Sequence, residues 1–315
     1  MPSAPPGSPG GADLASDRRP RRYSMLTRRD RTTMALMVGI PTFLCLFFIW
    51  FPTVLSFFLS FTNWQGVTEL SGKNFIGLRN YENLFTSYPF FWPAVWHNVL
   101  WLLTFVFIAT PLGILLAVLL DREMRGTRIY QSVFFLPVVL SLALIGFIWQ
   151  LMYTPDGFIN SLLGRTGDNA IDFLGDPSIN IYAVLVAASW RHAGYVMVLY
   201  LAGLKSVDPT LREAAALDGA NARQTFFRVV FPVMRPINIV IVVVTVIESL
   251  RAFDIVYIIN QGKNGLELLS VLITNTSIGE AQLLGFGSAI AVVLLVISLV
   301  PIVSFLVRTM REDAG

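Results

Sequence analysis

Two acids and an arginine interrupt a stretch of hydrocarbon at ESLRAFDIVY, residues 248–257. An ionised side chain at the centre of a bilayer costs roughly 2.5–3.5 kcal/mol on insertion scales, so such groups avoid lipid and find each other or a polar cavity. At 100° per residue, Glu248, Arg251 and Asp254 fall within about 120° of one another, one polar stripe on a helix. A second polar passage, WRHAGY at 190–195, supplies Arg191 as a partner. Two readings stand. In one, Arg191, Glu248, Arg251 and Asp254 form an internal ion-pair set that fixes helix packing. In the other, some of them line a path for a polar solute, with Trp190, Tyr195, Tyr257 and Asn260 stacking on it or hydrogen-bonding to it. Ordinary residence at a membrane interface accounts for those four equally well.

Other chemistry is missing. No GxxxxGK[ST] occurs, so the chain has no P-loop to cradle ATP phosphates. His97 and His192 lie far apart and Cys45 is the sole cysteine. Neither a metal-ligand pattern nor a disulfide is expected from them. No nucleophile stands with a base. The expectation is a chain that is not an enzyme, has no catalytic residue and holds neither metal nor cofactor of its own.

The elements that must carry these groups follow from composition. Of 315 residues, 55% are hydrophobic and only 14% charged, with mean hydropathy +0.65. Soluble domains carry roughly 25% charged residues, so the main solvent of this chain is expected to be lipid. Six apolar stretches, at about 33–61, 93–120, 129–153, 179–204, 236–259 and 285–307, each reach the ~20 residues a membrane helix needs. Helices are required because an open strand in lipid leaves backbone groups unpaired. Residues 1–32 are rich in Pro, Gly, Ser and Arg and are expected to be a disordered basic tail. Residues 309–315 are expected to be a second tail, so that 33–308 form the membrane domain.

Lysine and arginine set the orientation. Seven arginines between Arg18 and Arg31, then Arg122, Arg125, Arg128, Lys205, Arg212, Arg223, Arg228, Arg235, Arg308 and Arg311, make seventeen on one side. Lys73, Arg79, Arg165 and Lys263 make four on the other. Both termini are therefore expected in the cytoplasm. TRRDR at 27–31 resembles a twin-arginine signal, but the apolar run after it is too long for an h-region and lacks a small-residue cleavage site.

One polar passage remains, between two apolar stretches: KSVDPTLREAAALDGANARQTFFRVVFPVMRP, residues 205–236. Asp208 can cap a helix with Pro209 at its first position. That helix should run to about Leu217, with Leu211, Ala214 and Ala215 on one small-residue face. Asp218-Gly219 breaks it. A second short helix should place Ala222, Phe226, Val229 and Val230 on one side and Arg223, Gln224 and Arg228 on the other, ending at Pro232 and Pro236. Small residues there leave room for another protein to come close.

The passage resembles the EAA loop of permease subunits of binding-protein-dependent ABC importers, E-A-A-x-x-D-G-A, then F, then L-P-x-x-x-P. The matching positions are Glu213, Ala214, Ala215, Asp218, Gly219, Ala220, Phe226, Pro232 and Pro236. Phe231 stands where leucine is usual, and Arg223 where tryptophan is common in the sugar-importing branch. FIGLRNYENLF (75–85), FFLPVVLS (134–141), RAFDIVYI (251–258) and GFGSAIAV (285–292) extend the resemblance in order over most of the chain. NQGKNG (260–265) departs from the T-G-G-G-P-like turn common there. LSGK (70–73) is similar to the ABC ATPase signature but lacks its second glycine.

The resemblance implies an all-α membrane protein of six transmembrane helices with type I ABC importer architecture and cytoplasmic coupling helices. It implies a place in the inner membrane and, through the maltose- and glycerol-phosphate-type branch, a carbohydrate. It implies partners: a second permease subunit, two copies of a cytoplasmic ATPase carrying ATP and Mg, an extracellular solute-binding protein and the lipid bilayer, with no nucleic acid. Glu213, Gly219 and their neighbours would then couple to the ATPase, and Asp254, matching the family's F-D pair, would lie near the outer gate. The intramembrane acids keep a second expectation open, a self-sufficient ion-coupled transporter of a small polar solute.

Overall fold

The structure, a computed structural model, describes residues 27–67, 69–121, 126–279 and 282–313. Among the described residues regular structure is helical, apart from one isolated antiparallel bridge between Thr62 and Phe75. The chain divides after Pro52 into two compact units.

In the first unit, α1 spans Arg28–Cys45. The Thr27 hydroxyl accepts from the Asp30 N–H at 3.2 Å, while the Asp30 carboxylate accepts from the Thr27 N–H at 2.9 Å. This capping box starts the helix inside the segment expected to be disordered to residue 32. Residues 1–26 of that tail lie outside the described residues. The rings of Phe43, Phe47 and Phe51 stack at 5.8 and 6.0 Å. The long apolar side chains of α1, such as Met37 and Phe43, are exposed.

The remaining helices are α2 (Phe51–Leu59), α3 (Arg79–Thr86), α4 (Phe91–Thr104), α5 (Thr110–Leu120), α6 (Thr127–Val139), α7 (Leu142–Met152) and α8 (Phe158–Leu162). Then come α9 (Asn180–Ser206), α10 (Pro209–Leu217), α11 (Ala222–Thr225), α12 (Phe231–Val233) and α13 (Arg235–Leu250). Last are α14 (Asp254–Asn260), α15 (Leu269–Ser277) and α16 (Leu284–Asp313).

Four stretches, Arg29–Leu59, Phe91–Leu120, Asn180–Ser206 and Leu284–Ser304, are long and apolar enough to cross a membrane, and two bent pairs bring the number to six. The third expected span is not one rod: α6 and α7 meet at 102°. Leu140 is extended there and Ser141 caps α7, its hydroxyl accepting from the Leu144 N–H at 3.2 Å. The second bent pair is Ala222–Val233 with Arg235–Asn260, at 78°. The fifth span is also interrupted within its length, where α13 stops at Leu250 and α14 starts at Asp254. The polar stripe expected on one continuous helix is thus divided between a helix end, a loop and a helix start. The C-terminal tail expected from 309 is helical to Asp313; it holds good helix formers and no breaker. Three short helices, α3, α8 and α15, lie where no element was expected.

Three prolines explain local widening of the helices. π-helical turns cover Leu46–Trp50, Phe105–Ala109 and Phe226–Val230, and each is followed two residues later by a proline, Pro52, Pro111 and Pro232. Proline has no N–H, and its ring crowds the carbonyl four residues back. The residue before each proline, Phe51, Thr110 or Phe231, instead bonds the carbonyl five residues back. The wide turn absorbs the crowding without ending the helix.

Packing centres on α9. Gly113 on α5 lies so close to it that a Cβ would sit 2.6 Å from the Ala193 carbonyl and 2.7 Å from the Val196 Cβ. Ala117 and Leu120 of α5, Met197, Tyr200 and Leu204 of α9, Val230 and Met234 beside α12, and Ile241 of α13 form one buried cluster. A second cluster joins Trp101, Phe105 and Ile145 to Val184, Ala188, Ile255 and Val256.

Candidate functional site

The four charged residues singled out in the sequence line one cavity. Arg191, Glu248, Arg251 and Asp254 surround a space of about 70 Å³ with Trp101, Phe105 and Phe253. Arg191 Nη1 lies 3.3 Å from Glu248 Oε2, both half-buried, which makes one real ion pair. Arg251 and Asp254 have no ion-pair partner among the described residues and face solvent. So the two sequence readings divide the set: Arg191–Glu248 is an internal pair, and Arg251 and Asp254 are free polar groups on the same cavity.

The break in span five makes this possible. An unbroken helix would satisfy its own backbone. Here the Ala252 carbonyl, freed between α13 and α14, accepts from the Ser270 hydroxyl of α15. Two buried donors, Trp101 Nε1 and Arg191 Nε, have no protein partner. Buried donors left unpaired carry a desolvation cost that a hydrogen-bonding partner admitted by a small opening of the cavity would relieve. Trp101 was not singled out in the sequence, where it is one aromatic in a long apolar run; only its pairing in space with Arg191 marks it.

The flanking candidates separate. The Trp190 ring packs on Trp149 with centroids 5.9 Å apart, and Tyr257 stacks on Phe253 at 4.9 Å, beside the cavity. The Tyr195 ring lies 6.5 Å from His192. Asn260 is occupied elsewhere: its amide donates to the Lys263 carbonyl at 2.8 Å and accepts from the Gly262 N–H at 3.1 Å, closing the turn after α14. His192 is buried, stacked on Phe105 at 4.2 Å and bonded through Nε2 to the Thr245 hydroxyl at 3.1 Å.

The second site is the passage after α9. The Asp208 carboxylate accepts from the Thr210 N–H at 2.9 Å with Pro209 next in line, so α10 begins where the capping residues require and ends at Leu217. That bond holds the Asp208 carboxyl below the usual carboxylate range. Gly219 has φ +80°, a value that side chains with a Cβ rarely adopt, and no atom lies within 4 Å of where its Cβ would be. Its left-handed backbone serves the turn, and the space above it is open. Asn221 and Gln224 then cap α11 reciprocally, each accepting at 2.9 Å from the other's backbone N–H.

Around that turn lies a groove of about 520 Å³, lined by Leu211, Ala214, Ala215, Gly219, Gln224 and Arg228 among others, with Asp218 and Ala220. Of the small-residue face, Leu211 and Ala214 are exposed and Ala215 is buried, and Glu213 is exposed beside them. Phe226 packs against Tyr200 at 6.4 Å and Pro232 ends the widened turn, which roots the passage in the α9 cluster. One tie was not anticipated. Arg212 Nη1 lies 2.8 Å from Asp121 Oδ2, and Arg212 Nη2 donates to the Leu204 carbonyl at 3.3 Å. Helix α10 is therefore fastened to the ends of both α5 and α9.

Comparison with known proteins fits this arrangement. Residues 109–312 match the family described as binding-protein-dependent transport system inner membrane component. The chain is 32% identical over 267 residues to the probable ABC transporter permease protein PH1215 of Pyrococcus horikoshii, covering 82% of this chain and 89% of that one. It is 32% identical over 265 residues to the xylose/arabinose import permease protein XacH of Haloferax volcanii, covering 83% of each. A crystal structure of a bacterial ABC transporter involved in the import of the acidic polysaccharide alginate shares the fold, with TM-score 0.76, 21% identity and 90% of this chain covered. The ion-coupled alternative gives way to this assignment. With its bent spans and its capped two-helix turn, the chain belongs to the binding-protein-dependent transport system inner membrane components, as a transport permease and not an enzyme.

Proposed function

We propose that this permease forms part of the path for a carbohydrate and is driven by a separate ATPase docked in the groove around Gly219. The relatives support the solute class, XacH through its printed role in xylose and arabinose import. The observation that carries the coupling is the groove itself: about 520 Å³ of open space over a stiff, capped, two-helix turn bound to α5 and α9. Glu213, Ala214, Ala215, Asp218, Gly219 and Ala220 meet the ATPase, while Phe226 and Pro232 anchor the turn.

In the assembly this reading requires, a second permease completes the bundle and two ATPase copies hold ATP and Mg on the cytoplasmic side. An extracellular binding protein delivers the sugar. Both termini and the 205–236 passage face the cytoplasm, in accord with the arginine bias. Arg251, Asp254, Trp101 and the aromatic rings beside them then receive sugar hydroxyls. The test is uptake by the reconstituted assembly carrying Glu213→Ala together with Gly219→Val. We expect uptake to fall at least tenfold while the assembly still forms; wild-type uptake would defeat the coupling reading.

A further inference from the structure

A larger pocket lies at the opposite end of the bundle from the coupling groove. The α4–α5 span ends at Asp121 on Arg212 of α10, and it begins at Phe91, buried with Leu84 and Ile290 beneath Tyr88 and Phe286. Beside those rings, the loop after α2, helix α3 and the start of α16 enclose about 580 Å³. That is within the roughly 300–1,000 Å³ of small-molecule sites.

We propose that this pocket is a second carbohydrate subsite, separate from the charged cavity and selective for neutral sugars. The proposal rests on the sugar reading above for its ligand class. Three observations carry it. Aromatic rings and side-chain amides alternate around the pocket: Trp64, Tyr88 and Phe286 with Asn63, Gln65 and Asn83. Tyr88 and Phe286 stand edge to face at 5.2 Å, a fixed corner against which the C–H face of a sugar ring can lie. None of the described lining residues is charged, although the groups around the intramembrane cavity are. A pocket without charge favours a neutral hydroxylated ligand over an acidic one.

The floor is also built before any ligand arrives. Asn80 donates to the carbonyls of Ser60 and Thr62 at 2.8 and 2.7 Å, and the Tyr81 hydroxyl donates to Ser60 Oγ at 2.7 Å. The Gly285 N–H donates to the Trp64 carbonyl at 3.0 Å. These bonds spend Asn80 on structure. The side-chain amides of Gln65 and Asn83 make no hydrogen bond among the described residues and stay available at the rim. A rigid floor with free rim amides limits the ordering cost of binding.

The experiment uses the complete assembly in lipid nanodiscs without its binding protein, and diazirine derivatives of xylose, glucose, maltose and trehalose as probes. Labelled peptides are mapped by mass spectrometry. We expect peptides containing residues 63–65 and 83–88 to be labelled by at least one probe, with the unmodified sugar competing. Labelling should drop at least tenfold in the double variant Gln65→Ala/Asn83→Ala, and Arg191→Ala should leave it unchanged. Absence of competable labelling from all four probes overturns the proposal, as does labelling indifferent to the double variant. Capture of the binding protein by a photo-crosslinker placed at position 65, with no sugar labelling there, overturns it in favour of a protein dock. Uptake of the four sugars by the wild-type assembly is scored separately. Transport without labelling sinks the subsite alone, and transport of none sinks the sugar reading.

Discussion

Arg191 and Glu248 are close enough to pair yet sit beside two charges that stay unpaired, so removing one partner differs from removing both. Glu248→Ala leaves a half-buried guanidinium without its anion, beside an Nε that already lacks a partner. The pair is partly exposed, and solvent screening limits the stability cost to about 1 kcal/mol. Arg191→Met with Glu248→Leu should recover that stability, read as the thermal midpoint of the assembly, while uptake stays low because the cavity has lost two of its four charged groups. Recovery of uptake in the double variant would make the pair a packing device only. Asp208 gives a pH dependence. Its folded carboxyl is held low first by the Thr210 backbone N–H and then by the Thr210 side chain. A depressed carboxylate contributes stability above its unfolded value, near 3.9, and loses it as pH falls through the folded value. Amide-exchange protection at residues 210–214 should therefore hold from pH 8 to pH 5 and weaken progressively as pH falls from the unfolded value through the lower folded one, and Asp208→Asn should keep its protection there.

Elements were legible where one physical rule decided them. Asp208-Pro209 and Asp218-Gly219 bound α10 as capping chemistry demands, and long apolar runs located α4–α5, α9 and α16. What escaped was decided by tertiary partners. The polar residues of 248–257 keep helical spacing, yet the chain breaks after Leu250, where the carbonyl of Ala252 finds Ser270 of α15. No local pattern encodes that partner. Trp101 became part of the site, and Arg212 part of the joint, only because α4 and α5 bring Trp101 and Asp121 beside α9 and α10. Asn260, conversely, has the right type for a path and serves a turn. The close contact of α5 with α9 offers a test: Gly113→Val would drive its branched side chain into α9. Overpacking of this kind costs about 1–3 kcal/mol, and the assembly should show a lowered thermal midpoint, whereas Gly219→Ala meets no neighbour and should lower it only by the strain of a left-handed backbone, about 1 kcal/mol.

Among the described residues, helix α10 has two fastenings to the membrane helices. Arg212→Ala frees α10 from the ends of α5 and α9. Such a variant should still bind its ATPase and hydrolyse ATP, but with fewer sugars moved per ATP; the ratio of uptake to phosphate release measures this. Reversing the charges, Arg212→Asp with Asp121→Arg, should restore part of the ratio. The purified chain alone should release no phosphate from ATP.

Helix α9 carries Arg191 at the cavity and Leu204 beside α10, with no break along its length. At 1.5 Å per residue the two ends of that segment are about 20 Å apart. Thermodynamic reciprocity then applies: whatever factor nucleotide imposes on cargo affinity, cargo must impose on nucleotide affinity. Under the coupling proposed above, a loaded permease would thus announce its occupancy to the ATPase through the same strut that carries the ATPase's motion to the cavity.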